Sequence, residues 1–307
     1  MTKIQWTDAT WNPLRARDKR TGKVGHYCEM LSPGCANCYA SALQPRLFGL
    51  PRFPGQGKRV ALPLVEDRVP VSEDREVFLD TKVLRQPLAW KKPRMVFVCS
   101  MSDLFGAWVQ ESWLDAVFRL MHEAKQHTFQ VLTKRSERMR DYCARRWGRF
   151  DGKDYPLAPN IWLGVSVENQ KEKQRIEHLR QTPAAVRFLS CEPLLEDLGD
   201  LELNDLRLLR RVPELPVGNQ LYPRRGDLHW VITGGESGPK ARACHEDWEA
   251  AILRQCQAAH VPAFRKQAGS NAWRGGQRVN YRDPKGGNPE EWPAALCVRQ
   301  FPEPRRS

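Results

Sequence analysis

The stretch MVFVCSMSDLFGAWVQESWLDAVFRLMHEAKQHTFQVLT, residues 95–133, contains a complete strand–helix–strand unit. Its ends, Met95–Ser100 and Phe129–Thr133, are short, continuous apolar runs. That is the pattern of strands covered on both faces rather than one. Between them Trp113, Leu114, Val117, Phe118, Leu120, Met121 and Ala124 recur at helical spacing within Glu111–Lys125. Glu111 and Asp115 come early and Lys125 late, as the helix dipole prefers.

Runs of the same kind recur at Ile161–Val167, Val186–Ser190, Trp230–Thr233 and Pro262–Arg265. Most starts fall about 25–35 residues apart, the length of one βα unit. Further helices are expected at Ser136–Trp147, Gln170–Arg180 and Asp247–His260. The rhythm predicts an α/β fold, an open or partial (β/α) barrel over residues 1–270. Two stretches interrupt it, about 43–92, with a short helix expected at Asp80–Trp90, and about 196–227, which reads as a lid or long crossover. The tail, 271–307, carries Gly275, Gly276, Gly286 and Gly287 and reads as irregular cover.

Composition fits a cytoplasmic protein that meets a polyanion. The 307 residues are 41% hydrophobic, enough for one large core or two modest ones. No apolar run approaches the roughly 18 residues of a membrane span, and no charged-then-apolar leader is evident. Nine cysteines, an odd number with scattered spacing, argue against a disulfide framework. The net charge of +13 is either a solvated basic surface or a nucleic-acid footprint. Arg15, Arg17, Lys19 and Arg20 are the candidate phosphate contacts, with Trp6, Trp11 and Tyr27 nearby as stacking surfaces or core. Two more basic groups run from Lys134 to Arg149 and from Arg207 to Arg225.

Residues 26–40, HYCEMLSPGCANCYA, hold Cys28, Cys35 and Cys38. The Ser-Pro-Gly turn can fold the first sulfur back toward the Cys-x-x-Cys hook. Three thiolates can hold three corners of a 4Fe–4S cluster and leave one iron open. A structural zinc site wants a fourth ligand, for which His26 is the only near candidate. A redox pair is the remaining reading.

Polar residues gather where the strands should end. Ser100, Ser102 and Asp103 follow the first run, and Thr133, Lys134 and Arg135 the second. Ser166 and Glu168, Cys191 and Glu192, Glu236 and Ser237, then Lys266 and Gln267 follow the others. On a (β/α) barrel that rim is the active face.

Ile4–Pro13, Ser32–Ala40, Val98–Phe105, Leu132–Arg135, Gly164–Asn169, Ser190–Leu195, Gly234–Pro239 and Arg265–Gln267 together carry a family likeness. Through them the chain resembles the phage-associated three-Cys-motif family, divergent relatives of the radical S-adenosylmethionine (SAM) enzymes. Here the first gap between cysteines is six residues, and Asn37 stands where the common pattern has an aromatic. The resemblance implies a partial (β/α) barrel of the radical SAM type, a 4Fe–4S cluster on Cys28, Cys35 and Cys38, and SAM as co-substrate. An external donor would reduce the cluster, SAM would open to a 5′-deoxyadenosyl radical, and that radical would take a hydrogen from the substrate.

With that chemistry, Ser102, Asp103, Lys134, Ser166, Glu168 and Glu192 are the candidate cofactor contacts. Glu236, Lys266 and Cys191 are the candidate catalytic residues, Cys191 either as a hydrogen-atom donor or as a small buried hydrophobe. Gly234-Gly235-Glu236 reads as a close backbone turn carrying a substrate-facing acid. Phage relatives imply a hypermodified base in DNA as substrate, for example isomerisation of an amino-acid adduct of thymine, inside the host cell. Two rivals remain: a radical SAM enzyme on a small molecule or peptide, and a non-catalytic, metal-stabilised nucleic-acid-binding protein.

Overall fold

The structure is a computed structural model that describes residues 4–55, 68–146, 148–150, 153–155, 158–203 and 228–302. The fold is mixed α/β, built on seven parallel strands. The chain forms two compact units, residues 1–135 and 136–307.

In the first unit β1 (Ala9–Trp11) leads into an antiparallel sheet of β2 (Leu14–Asp18), β3 (Val24–Gly25), β4 (Arg68–Ser72) and β5 (Arg75–Leu79), ordered β3-β2-β5-β4. Residues alternate along β2: Leu14, Ala16 and Asp18 are buried while Arg15 and Arg17 lie half-buried on the other face. Between β3 and β4 lies the short helix α1 (Tyr39–Leu43). The helix expected at Asp80–Trp90 is two short turns, α2 (Thr81–Leu84) and a 3-10 turn at Gln86–Ala89. Pro87 lacks the amide a continuing helix needs. Asp80 caps α2, accepting from the Lys82 and Val83 amides at 3.1 and 3.0 Å.

The strand–helix–strand unit follows as β6 (Met95–Val98), α3 (Glu111–Glu123) and β7 (Thr128–Thr133). Trp113, Leu114, Val117, Phe118, Leu120 and Met121 all bury their side chains, as the spacing requires. Within this unit β1, β6 and β7 pair in parallel, Ala9 opposite Val96 and Met95 opposite Thr128.

The second unit opens with α4 (Ser136–Arg146) and the two-stranded ribbon β8 (Gly148–Phe150) and β9 (Lys153–Tyr155). Then come β10 (Ile161–Ser166), α5 (Gln174–Gln181), β11 (Val186–Cys191) and β12 (Trp230–Gly234). Next are β13 (Cys244–His245), α6 (Glu246–Ala258) and β14 (Ala263–Gln267). Strands β10, β11, β12 and β14 pair side by side, all parallel. Every residue of β10 and β12 is buried, which explains their unbroken apolar sequence.

The tail is more regular than its glycines suggest. β15 (Ala272–Arg274) and β16 (Gln277–Val279) form a hairpin that joins β13 in a three-stranded sheet. Gly275 and Gly276 supply the two positive φ angles, 55° and 78°, of its two-residue loop. The expected stretch 196–227 is described only as far as residue 203, and Arg207, Arg210, Arg211, Arg224 and Arg225 lie outside the described residues. Among the described residues no helix is long and apolar enough to cross a membrane.

Gly164 in β10 is a packing requirement. A Cβ there would lie 2.5 Å from the ring of the fully buried Phe188 on neighbouring β11. Gly164→Ala should therefore cost about 1–3 kcal/mol of overpacking. Urea denaturation measures it, and adding Phe188→Leu should recover part of the loss. An unchanged midpoint would contradict the packing argument.

Candidate functional site

Cys28, Cys35 and Cys38 lie on the segment between β3 and α1, all three with free, half-buried side chains. Pro33–Cys35 forms a 3-10 turn, and the Cys38 amide donates to the Cys35 carbonyl at 3.2 Å, which closes the hook. The Cys28 thiol lies 3.7 Å from the Glu29 carbonyl and that of Cys35 4.0 Å from Ser32 Oγ. Burial pushes the Cys28 and Cys38 thiols up; Asp103, then Cys38 and Cys35, add to this at Cys28, and Cys35 does so at Cys38. Arg135 pulls Cys28 back down, and backbone amides of Ser41 and Ala40, then Lys134, do the same for Cys38. The three sulfurs thus share one electrostatic neighbourhood.

That segment is fastened to the C-terminal ends of β6 and β7. Ser102 Oγ donates to the Tyr27 carbonyl at 2.6 Å, and the Tyr39 hydroxyl donates to the Ser100 carbonyl at 2.7 Å. Asn12 Oδ1 receives the Met101 amide at 2.9 Å and so ties in the end of β1. Cys99 turns the chain here with a left-handed backbone, φ 55°, uncommon for a residue with a Cβ.

Asp103 organises the cluster beneath. Its Oδ1 accepts from Thr133 Oγ1 at 2.6 Å and from the Phe105 amide at 3.0 Å. Its Oδ2 accepts from the Lys134 amide at 3.2 Å and the Arg135 guanidinium at 3.1 Å. Arg135 also faces Glu29 at 3.6 Å and lies 4.8 Å over the Trp108 ring. Tyr27 meets Trp108 edge-on at 4.9 Å and donates to Glu29 at 3.0 Å. Gly106 leaves room for that indole, since a Cβ would stand 2.4 Å from it. Sequence reasoning located Asp103, Lys134 and Arg135 but passed over Glu29 and Trp108. The signal for Glu29 was its place beside Cys28.

His26, the zinc alternative's fourth ligand, is buried away from this cluster. Its Nδ1 is 3.1 Å from the Leu14 carbonyl and its ring meets Phe48 edge-on at 5.2 Å. Burial, then Arg15, lowers its pKa to about 4. It serves the small antiparallel sheet as a neutral side chain. Among the described residues, no three His, Cys, Asp or Glu side chains are arranged to hold a metal ion.

The expected phosphate contacts are partly occupied. Arg15 donates to the Gly25 carbonyl at 3.2 Å, and Arg17 pairs with Glu76 at 3.7 Å and lies over Phe78. Arg20 pairs with Asp74 at 3.5 Å, and Lys19 is exposed beside it.

In the second unit the polar residues do stand at strand C-terminal ends, and they pair among themselves. Glu168, fully buried, meets Arg175 at 2.9 Å, and Arg175 also donates to the Ser166 carbonyl at 2.8 Å. Glu192, after β11, forms an ion pair with Lys266 of β14. Glu236 is gripped by Arg242, whose amide and Nε donate to Oε2 at 2.9 and 3.0 Å. Cys191 is fully buried with its thiol pushed up by burial. The backbone at Gly234-Gly235-Glu236 runs on from β12 without the expected turn, but the close approach is there, since a Cβ on Gly235 would stand 2.3 Å from the Ala268 carbonyl oxygen.

One buried network had no counterpart in the sequence reading. Arg265 of β14, wholly inside, donates to Glu249 at 2.6 and 3.0 Å and to Glu246 at 2.8 Å, with Trp292 stacked at 4.5 Å. Neighbours along β14 point to opposite faces, so Lys266 reaches Glu192 while Arg265 reaches α6.

A family model described as "Protein of unknown function (DUF5131)" matches residues 1–293. The chain belongs to that family. Neither a curated protein nor a solved structure matches it.

Proposed function

We propose that the protein is a radical SAM enzyme that modifies or rearranges a hypermodified base in phage DNA, for instance by isomerising an amino-acid adduct of thymine, on a partial (β/α) barrel in the host cytoplasm. The observation that carries this reading is the docking of the Cys28–Cys38 segment onto the Asp103–Arg135 cluster at the ends of β6 and β7. Soft thiolates suit iron–sulfur chemistry, and a cubane takes each at a separate iron, so they need not converge on one point. When bound, such a cluster supplies one-electron reduction of SAM, with the electron drawn from an external donor.

The chain's own residues have definable tasks. Arg135 offsets negative charge at Cys28 and Lys134 does so at Cys38, consistent with their downward pull on those thiols. Trp108 and Tyr27, both buried, keep water from the Arg135 side of the segment. Ser102 fixes the loop's approach through the Tyr27 carbonyl. In the second unit, the half-buried Glu192–Lys266 pair can hold and pass a proton, and Glu236 is a second acid oriented by Arg242. The net charge of +13 favours a nucleic-acid substrate over a small neutral one. A base within a duplex must leave the stack to react.

Anaerobically reconstituted, reduced protein supplied with SAM should form 5′-deoxyadenosine, while a variant lacking all three cysteines should form none. Iron-loaded protein that produces no 5′-deoxyadenosine, with or without DNA, would overturn the assignment.

A further inference from the structure

The sheet of β13, β15 and β16 bears a row of side chains that the proposed chemistry does not use. Its register places His245 opposite Trp273, and Trp273 opposite Arg278. Directly opposed residues share a face of a sheet, so imidazole, indole and guanidinium stand in line across three strands. Trp248 of α6 extends the row, its ring 4.4 Å from His245, and Trp273 follows at 6.0 Å on the other side. All three aromatic residues are half-buried and Arg278 is exposed.

Arg278 also lines a cleft of about 530 Å³ with Gly238, Pro239, Ser270, Asn271 and Pro284 among its walls. Asn271 joins the cleft to the row, since its Oδ1 accepts from Trp273 Nε1 at 2.9 Å while its Nδ2 holds the Ala241 carbonyl at 3.1 Å. Ser270 Oγ receives the Gly238 amide at 2.9 Å. Arg278 brings a positive charge to the wall of this cleft, and Lys240, Arg282 and Lys285 lie within two residues of the wall residues Pro239 and Pro284 in the sequence. Of the nearby acids, Glu236 is gripped by Arg242, and Asp283 accepts the Lys285 and Gly287 amides at 3.0 and 2.9 Å. The neighbouring Arg274 is consumed by Glu246, whereas Arg278 has no ion pair among the described residues.

We infer that this face binds single-stranded DNA, with a nucleobase against Trp273 and an adjoining phosphate on Arg278 at the cleft. Aromatic surfaces interleaved with cations bind single strands with little sequence preference, because every base has a stacking face and every linkage a charge. The inference rests on the reading of DNA as substrate.

The test is fluorescence anisotropy of a labelled oligodeoxythymidine with the full chain at several salt concentrations. Trp273→Ala should weaken binding about tenfold, whereas Trp273→Phe, which keeps a stacking ring, should restore most of it. Arg278→Ala should lower the log–log salt slope by about one, the signature of one lost phosphate contact. An adjacent control, Arg282→Ala, should change affinity less than Arg278→Ala. Equal affinity of the wild type and the Trp273→Ala/Arg278→Ala double variant would overturn the inference, and so would tighter binding to duplex than to single strand. Iron content and 5′-deoxyadenosine formation are read separately on the same proteins, so failure here is distinguishable from failure of the radical SAM reading.

Discussion

Replacing any one of Cys28, Cys35 or Cys38 with Ala should reduce iron after anaerobic reconstitution from about four per chain to near zero, because a three-thiolate cubane loses a corner with each. Cys99, Cys143, Cys244 and Cys256 are buried, Cys297 is exposed, and all five lie outside the Cys28–Cys38 segment, so Ala at those positions should leave iron unchanged. Burial raises the Cys28 and Cys38 thiols above their ordinary range, so the apo segment favours the neutral form. Metal uptake must then release protons and become less complete as the pH is lowered. Iron assay and the visible spectrum read all of this at once. Stoichiometric zinc without iron, or full iron in any of the three variants, would refute the ligand set.

Six of the seven parallel strands were legible because strands covered on both faces need continuous apolar runs. The parts that escaped lacked that signature. β1 is three residues in a polar setting, and its partner Val96 is far along the chain. The antiparallel sheet pairs Arg15 with Phe78, and the alternation of β2 is carried by arginines that read as a charge run. Arg17 and Arg20 looked like free phosphate contacts because Glu76 and Asp74 are remote in sequence.

The candidate site was legible to the same extent and for a similar reason. The cysteines are local, as is the Cys-x-x-Cys turn, and strand ends can be counted from apolar runs. Side-chain pairings between elements cannot. Glu192 with Lys266, Glu168 with Arg175, and Glu29 with Arg135 appear only once the chain is folded. They change the meaning of the residues, since an acid whose oxygens are held by arginine orients a site before it contacts any ligand.

Asp103 is the strongest case, and its removal should have a large effect. Its side chain is about nine-tenths buried and its two oxygens receive four donors from the chain itself. Asp103→Ala would leave Arg135 inside with, among the described residues, only the more distant Glu29 as an anionic ion-pair partner at 3.6 Å. Stranding one member of a buried pair typically costs about 3–5 kcal/mol. Asp103→Asn keeps one acceptor but turns an amide toward donors, so it should cost less, about 1–3 kcal/mol, as a buried donor goes unpaired. Arg135 would then be free to lean away from Cys28, and iron should be lost faster from both variants than from the wild type. Urea midpoints of the apo protein separate the stability effect from the iron effect. Wild-type stability in Asp103→Ala would mean that the carboxylate is not the organiser of this cluster. Its four contacts would then be incidental, and a direct role with SAM would be the better account.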